Sequence, residues 1–222
     1  MAILTMAARA GDWLKSEAPE YFSREAQTVL AGSGTARVLT SGMVVARVLT
    51  GAAVGAAVSG NTGGGAITAA PTVGAGAKAG TYNLRCIKVV GSAGDFEVRN
   101  PDGQVIGIAT TAVEFAQGGL TFTVADGSPD FAVGDAFTIV VAAGSLKVVQ
   151  LAPAGTNGQD EAYGLLVDAV TAAVGTDGSG VVIVRQAVLN DSQVTWPTIT
   201  AAKKATEKAR LTAVEVLFRT GV

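Results

Sequence analysis

Asp95-Phe96-Glu97-Val98-Arg99 runs into Asn100-Pro101-Asp102-Gly103, and residues 104–109 lead out again. The first five residues alternate in polarity, so Phe96 and Val98 share one face of an extended strand. Pro101 presets φ and Gly103 accepts the left-handed position, which makes the tetrapeptide a tight turn. The pattern repeats downstream. Val113-Glu114-Phe115 alternates, Gly118-Gly119 turns, and Leu120-Thr121-Phe122-Thr123-Val124 points Leu120, Phe122 and Val124 inward. Asp126-Gly127-Ser128-Pro129 turns once more, and Phe137, Ile139 and Val141 form the last inward stripe. Residues 82–90 supply the first strand of the series. Strands at this spacing, punctuated by turn residues, predict a small β-sandwich or barrel.

The flanks differ from this middle. Residues 37–40 and 43–49 read as strands with Ser41-Gly42 as the turn between them. Residues 51–80 are low in complexity and read as loop, with one strand near Ala66-Ile67-Thr68. After Gly144, strands are expected at 146–151, 164–169 and 181–184. Trp196-Pro197 then opens one clear helix, with Thr198 or Thr200 as its cap. On that helix Ala202, Ala205 and Ala209 share a face, while Lys203, Lys204 and Glu207 point elsewhere. A terminal strand follows over 213–218, with Val214, Val216 and Phe218 on one side. The first 35 residues carry Trp13, Tyr21 and Phe22 among several charges. Periodicity does not decide between helix and strand for residues 17–30. The segment either orders against a partner or packs on its own core.

Each flank is short for a core of its own. Residues 36–56 and 146–222 together suffice for a discontinuous α+β domain, with 57–145 as an inserted all-β domain and 1–35 as an N-terminal arm. The fold class is therefore mainly β. Inserting a domain is tolerated because loop-closure cost rises only ~0.6 kcal/mol per doubling of length.

Composition narrows the chemistry. Hydrophobic residues make up 49% and charged residues 15% of the chain, a balance that favours a packed core over disorder. Net charge is −2, and the densest cationic cluster, Lys203, Lys204, Lys208 and Arg210, has Glu207 inside it. A solvated helix face explains that cluster, so no direct nucleic-acid binding is expected. Ser59, Asn61, three glycines and Pro71 interrupt the longest uncharged stretch, so no membrane span is expected, and no signal peptide is visible. The single cysteine, Cys86, cannot form an internal disulfide and reads as a buried small hydrophobe.

The chain has no histidine, which removes Ser–His–Asp and Cys–His catalysis and the commonest metal ligand. Glu97 and Glu114 alternate with apolar neighbours and read as solvent-facing strand residues, not a catalytic pair. Asp126, Asp130 and Asp135 lack the order of a calcium loop and read as turn formers. No catalytic, cofactor or metal site is expected, and the chain is not expected to be an enzyme.

Several segments together point to a family. Ala162-Tyr163-Gly164 enters an apolar strand within residues 161–169, Val181-Val182-Ile183-Val184-Arg185 and Ala187-Val188-Leu189 follow, and then come Trp196-Pro197 and a helix through Lys203-Lys204. With Tyr21-Phe22-Ser23-Arg24-Glu25 and Ser41-Gly42-Met43-Val44 upstream, this order resembles the lambda-type phage head decoration proteins. Residues 57–145 depart from that compact pattern and resemble β-rich insertions of some phage head and tail proteins, notably at Gly80-Thr81-Tyr82, Pro101-Asp102-Gly103 and residues 118–123. The resemblance implies a structural virion protein on the capsid exterior, made in the host cytoplasm. Its partner would be the major capsid protein, bound as a homotrimer at local three-fold positions to hold the shell against packaged DNA. It also implies an arm that adds a strand to the capsid, with Tyr21, Phe22, Arg24, Val29 and Leu30 as contacts. Trp196 and Pro197 would pack the trimer or the core. The alternative is a glycan- or surface-binding β module on a trimeric head or tail base, with residues 57–145 taking a host-surface ligand. Exposed, coplanar aromatics among Phe96, Phe115, Phe122 and Phe137 would favour that alternative.

Overall fold

The computed structural model describes residues 9–220, so the first eight residues of the expected arm lie outside the described residues. The chain divides into two compact units. Unit 1 holds the described residues up to Val48, then Leu146–Gly155, then those from Gln159 onward; unit 2 holds Leu49–Ser145 and Thr156–Gly158.

Unit 1 begins with helix α1 (Ala10–Trp13), β1 (Leu14–Glu17), β2 (Arg24–Val29), β3 (Arg37–Leu39) and β4 (Val44–Arg47). Unit 2 contains β5 (Thr50–Ala57), β6 (Ala66–Ile67), β7 (Thr72–Val73), β8 (Gly80–Val90), β9 (Ala93–Arg99), β10 (Val105–Thr110), β11 (Glu114–Gln117), β12 (Leu120–Ala125) and β13 (Ala136–Ala143). Unit 1 resumes with β14 (Val148–Gln150), β15 (Ala162–Leu166), β16 (Val170–Ala172), β17 (Gly178–Ile183), β18 (Ala187–Asn190), α2 (Ala201–Thr212) and β19 (Val216–Arg219). The mainly β class, with one substantial helix, agrees with the sequence reading.

In unit 1, β14, β2, β17, β15 and β4 close into a barrel. Successive residues on these strands serve different cores. Val44, Ala46, Val149, Leu165 and Ile183 pack with Trp13, Leu189, Leu211 and Val216. Val45, Val148, Leu166 and Val182 pack with Val29, Leu39 and Ala172. Both faces of β4, of β15 and of the end of β17 are thus buried, which is why Val44-Val45-Ala46 and Val181-Val182-Ile183 are unbroken apolar runs. Outside the barrel lie a three-stranded sheet, β1-β18-β19, and a two-stranded one, β16-β3.

Unit 2 pairs β10-β9-β8-β13-β5 in one sheet and β11-β12-β6 in another, with β7 also on β12. Phe96, Phe115, Phe122 and Phe137 all point into their shared core. Phe96, Phe131 and Phe137 pack mutually with centroids 5.0–5.7 Å apart. The expected turn forms at Asn100–Gly103, where the Asn100 Oδ1 accepts from the Gln104 N–H and Gly103 has φ +79°. Cys86 is buried in this core, and burial pushes its thiol pKa up.

Four expectations need correction. Residues 51–57 form most of a strand, not a loop, and that strand belongs to unit 2, which moves the boundary from 56/57 to 48/49. Small residues are needed there: a Cβ on Gly55 would lie 2.3 Å from the Thr68 carbonyl oxygen. Second, residues 9–35 are not a free arm. Trp13 is fully buried and its indole N–H donates to the Ser41 hydroxyl at 2.9 Å, while β2 is a barrel strand. Third, the cationic helix face is not wholly solvated: Glu207, inside it, is buried and faces the barrel with Leu211, while Ala202, Ala205 and Ala209 share an outward face. Fourth, Glu215 is left-handed, at φ +63°, which breaks the alternation and leaves Val214 exposed while Val216 is buried.

The ends of the inserted unit are close on each side. Arg47 pairs with Val148 between β4 and β14, and Thr50 pairs with Ala143 between β5 and β13. Within unit 2, Asp135 ties loop to loop. Its carboxylate accepts from the backbone N–H groups of Thr62, Gly63 and Ala132 at 2.8–2.9 Å. Burial pushes its pKa up, but those three donors outweigh burial and hold it below the ordinary 3.8. A depressed carboxyl stabilises the fold above its unfolded pKa, and that contribution is lost as pH falls through the lower folded value. Asp135→Asn should therefore lower the unfolding free energy of unit 2 by about 1.5–3 kcal/mol at neutral pH. Below pH ~4 the gap to wild type should narrow in chemical-denaturation titrations.

Candidate functional site

The feature of unit 1 that core packing does not explain is the turn between β1 and β2. Pro19–Tyr21 forms a single 3₁₀ turn in which Glu20 and Tyr21 are both left-handed, at φ +58° and +59°. Neither is glycine, so the turn carries backbone strain, and such strain gathers at functional sites. It presents Tyr21 at 70% and Phe22 at 54% exposure.

The base of the turn is rigid. Ser23 is fully buried; its hydroxyl donates to the Gln186 carbonyl at 2.7 Å and accepts from the Ala18 N–H at 3.0 Å. Arg24 grips the Glu17 carboxylate with two hydrogen bonds of 2.8 and 2.6 Å. That bond, partly offset by burial, holds the Arg24 guanidinium above its ordinary pKa. The Arg24 guanidinium also lies 5.2 Å from the centroid of the Tyr21 ring, and Arg185 lies 5.2 Å from that of Phe22. Both exposed rings are thus braced from beneath by cations.

The expected contact residues therefore separate. Tyr21 and Phe22 are exposed, and Arg24 supports Tyr21 from a half-buried position. Val29 is fully buried in the barrel, where its neighbours fill the space around it, and Leu30 is half-buried against the core. Sequence reading missed Arg185 as a partner of the turn, because a sequence separation of 163 positions from Phe22 hides the contact.

Trp196 packs on the core. It stacks at 6.0 Å on Phe218, with the Lys204 ammonium 5.2 Å from its ring centroid. Pro197 follows it at the approach to α2, whose cap is Thr200: its hydroxyl accepts from the Lys203 N–H at 3.3 Å. The helix is held to β15 by Glu207, fully buried, whose carboxylate accepts from the Ala162 N–H at 2.7 Å and pairs with Lys203 and Arg210. Burial pushes the Lys203 pKa down, but Glu207 and Asp160 outweigh it and leave the pKa raised.

In unit 2, the four phenylalanines that an aromatic glycan platform would need are inside the core. Among the described residues no helix is long and apolar enough to cross a membrane.

A family model for bacteriophage lambda head decoration protein D matches residues 3–216 of the chain. No curated protein matches it. Two crystal structures of Xanthomonas campestris FlgL match at 20% identity with TM-scores of 0.33 and 0.32. Those matches cover 46% and 49% of this chain and 33% of FlgL in each case, so the chain spans well under two thirds of that protein.

Removing the Glu207 carboxylate strands the buried Ala162 N–H, while Lys203 keeps Asp160 and Arg210 keeps Glu161. Glu207→Ala should cost about 1–3 kcal/mol of unfolding free energy in denaturant titrations, whereas Glu207→Gln, which keeps an acceptor for Ala162, should cost clearly less.

Proposed function

The chain belongs to the bacteriophage lambda head decoration protein D family, a structural family of the phage capsid, and from that membership we propose that it binds the mature shell as a trimer at local three-fold positions. The observation that carries this reading is the family match over residues 3–216, nearly the whole chain. The protein acts by buried contact, without catalysis, after synthesis in the host cytoplasm. Its partner is the major capsid protein. Binding the intact shell but not the disrupted one stabilises it against internal DNA pressure. The gain is RT ln(1 + [L]/Kd), about 2.7 kcal/mol per site at a free concentration a hundredfold above Kd.

Tyr21 and Phe22 carry the contact, because a braced aromatic pair has little conformational freedom left to lose on binding. Val29 and Leu30 act indirectly, by fixing the strand that follows the turn. Deleting residues 1–35 would remove β2 from the barrel, so point changes at the turn are the informative variants. Residues 57–145 remain available for a second partner on the exterior, but no exposed aromatic platform among those four phenylalanines favours glycan.

The test is co-sedimentation with expanded, undecorated shells. Wild type should bind saturably, near one copy per capsid subunit. Tyr21→Ser with Phe22→Ser should weaken binding by about 2–4 kcal/mol, the range of an aromatic hot spot. The same change should shift unfolding free energy by no more than about 0.5 kcal/mol, because both rings are exposed. No binding of wild type at micromolar concentration would contradict the reading.

A further inference from the structure

Beside the aromatic turn, unit 1 has a groove of about 350 Å³ lined by Glu25, Arg47, Tyr163, Arg185 and Arg210, with Ala162, Val184, Leu211 and Val214 as apolar walls. Three guanidinium groups in one groove are unusual unless each has a counter-charge. Arg185 has Glu25, and Arg210 has Glu161 and Glu207. Arg47 differs: among the described residues its side chain makes no ion pair or hydrogen bond. Its Nε is buried without a partner, and the guanidinium carbon lies 4.5 Å from the centroid of the Tyr163 ring. A buried donor left unpaired is destabilising, so a partner that satisfies it is favoured.

The opposite wall is held still. The Tyr163 hydroxyl donates to the Glu25 Oε2 at 2.6 Å and accepts from the Gln27 amide at 3.0 Å. Two left-handed residues, Gln186 at φ +45° and Glu215 at φ +63°, directly follow the lining residues Arg185 and Val214. Strain of this kind, beside an unpaired cation, marks a site whose geometry is kept for something other than folding.

We propose that this groove is a receptor for a single carboxylate, that of an acidic side chain on the capsid subunit, with Arg47 as its ligand. Naming the capsid as the source rests on the decoration reading above. The pairing pattern selects the ligand class. The other two arginines already have carboxylate partners, so Arg47 is the one guanidinium of the groove without a counter-ion, which matches a monoanion such as a carboxylate. A dianionic phosphate would meet the fields of Glu25, Glu161 and Glu207. The planar guanidinium, stacked on a ring, presents a fork suited to two carboxylate oxygens. The site also shares Arg185 with the brace beneath Phe22, so an acidic residue in the groove and an aromatic contact at the turn would fit neighbouring parts of one partner.

The experiment uses the full chain and N-acetyl-glutamate methylamide as probe, followed by NMR shifts at Tyr163 and Ala162. The probe should shift both saturably. Its uncharged glutamine analogue should bind about tenfold more weakly or not at all, and Arg47→Met should abolish the response. Arg47→Lys, which keeps charge without the fork, should bind about tenfold more weakly and serves if the methionine variant misfolds. Equal response to acid and amide, tighter binding of inorganic phosphate, or an undiminished response in both Arg47 variants would each overturn the carboxylate site. Shell co-sedimentation separates the two readings. If wild type binds shells and Arg47→Met binds them equally, the capsid carboxylate is wrong while decoration stands. If wild type itself fails to bind shells, the decoration reading falls, and the probe titration alone decides whether a carboxylate site exists.

Discussion

Unit 1 depends on one closure. β2 enters between β17 and β14, antiparallel to the first over six residue pairs from Gly178↔Val29 to Ile183↔Arg24, and parallel to the second at Val148↔Val29. Without β2 the remaining strands would be an open sheet with two unpaired edges, each a template for aggregation. Closure removes those edges and fixes the direction in which the chain arrives. That direction sets the strained turn before β2, the buried Ser23 at its base, and the two rings it exposes. Fold and candidate contact surface therefore follow from one strand.

The same closure explains how a whole second unit is tolerated. The barrel strands flanking the insertion, β4 and β14, are hydrogen-bonded neighbours, so the barrel is complete whatever lies between Val48 and Leu146. Unit 2 answers with its own paired ends, β5 and β13. Neither unit needs the intervening chain to be short, since closure cost grows only logarithmically with loop length.

Much of unit 2 was legible because its strands bury one face each. Alternation at residues 95–99, 120–124 and 137–141 marks the inward side directly, and Asn100-Pro101-Asp102-Gly103 can hardly be anything but a turn. The β5 strand was hidden because Gly51, Ala52, Ala53, Gly55, Ala56 and Ala57 carry little hydrophobic signal; their smallness answers to backbone approach, as at Gly55, not to core volume. In unit 1 the apolar runs gave strands but not the barrel, since closure depends on pairings far apart in sequence. On the helix, Glu207 was hidden because a carboxylate among Lys203, Lys204, Lys208 and Arg210 reads as solvated, whereas it is buried to serve the Ala162 N–H. For the candidate site, Tyr21 and Phe22 were legible as aromatics in a weakly patterned segment. Val29 was not separable from them, because burial is a property of the closed barrel. Nothing in the sequence brings Arg47, Tyr163 and Arg185 into one groove.

The central claim is that the barrel unit, through its strained aromatic turn, is the part that meets the shell. The most direct measurement is hydrogen exchange of the protein free and bound to expanded shells. Exchange should slow on binding at residues 18–23 and around 185–187, with residues 57–145 unchanged. Slowing confined to 57–145, with the turn exchanging as in the free protein, would contradict the account and move the contact surface to the inserted unit.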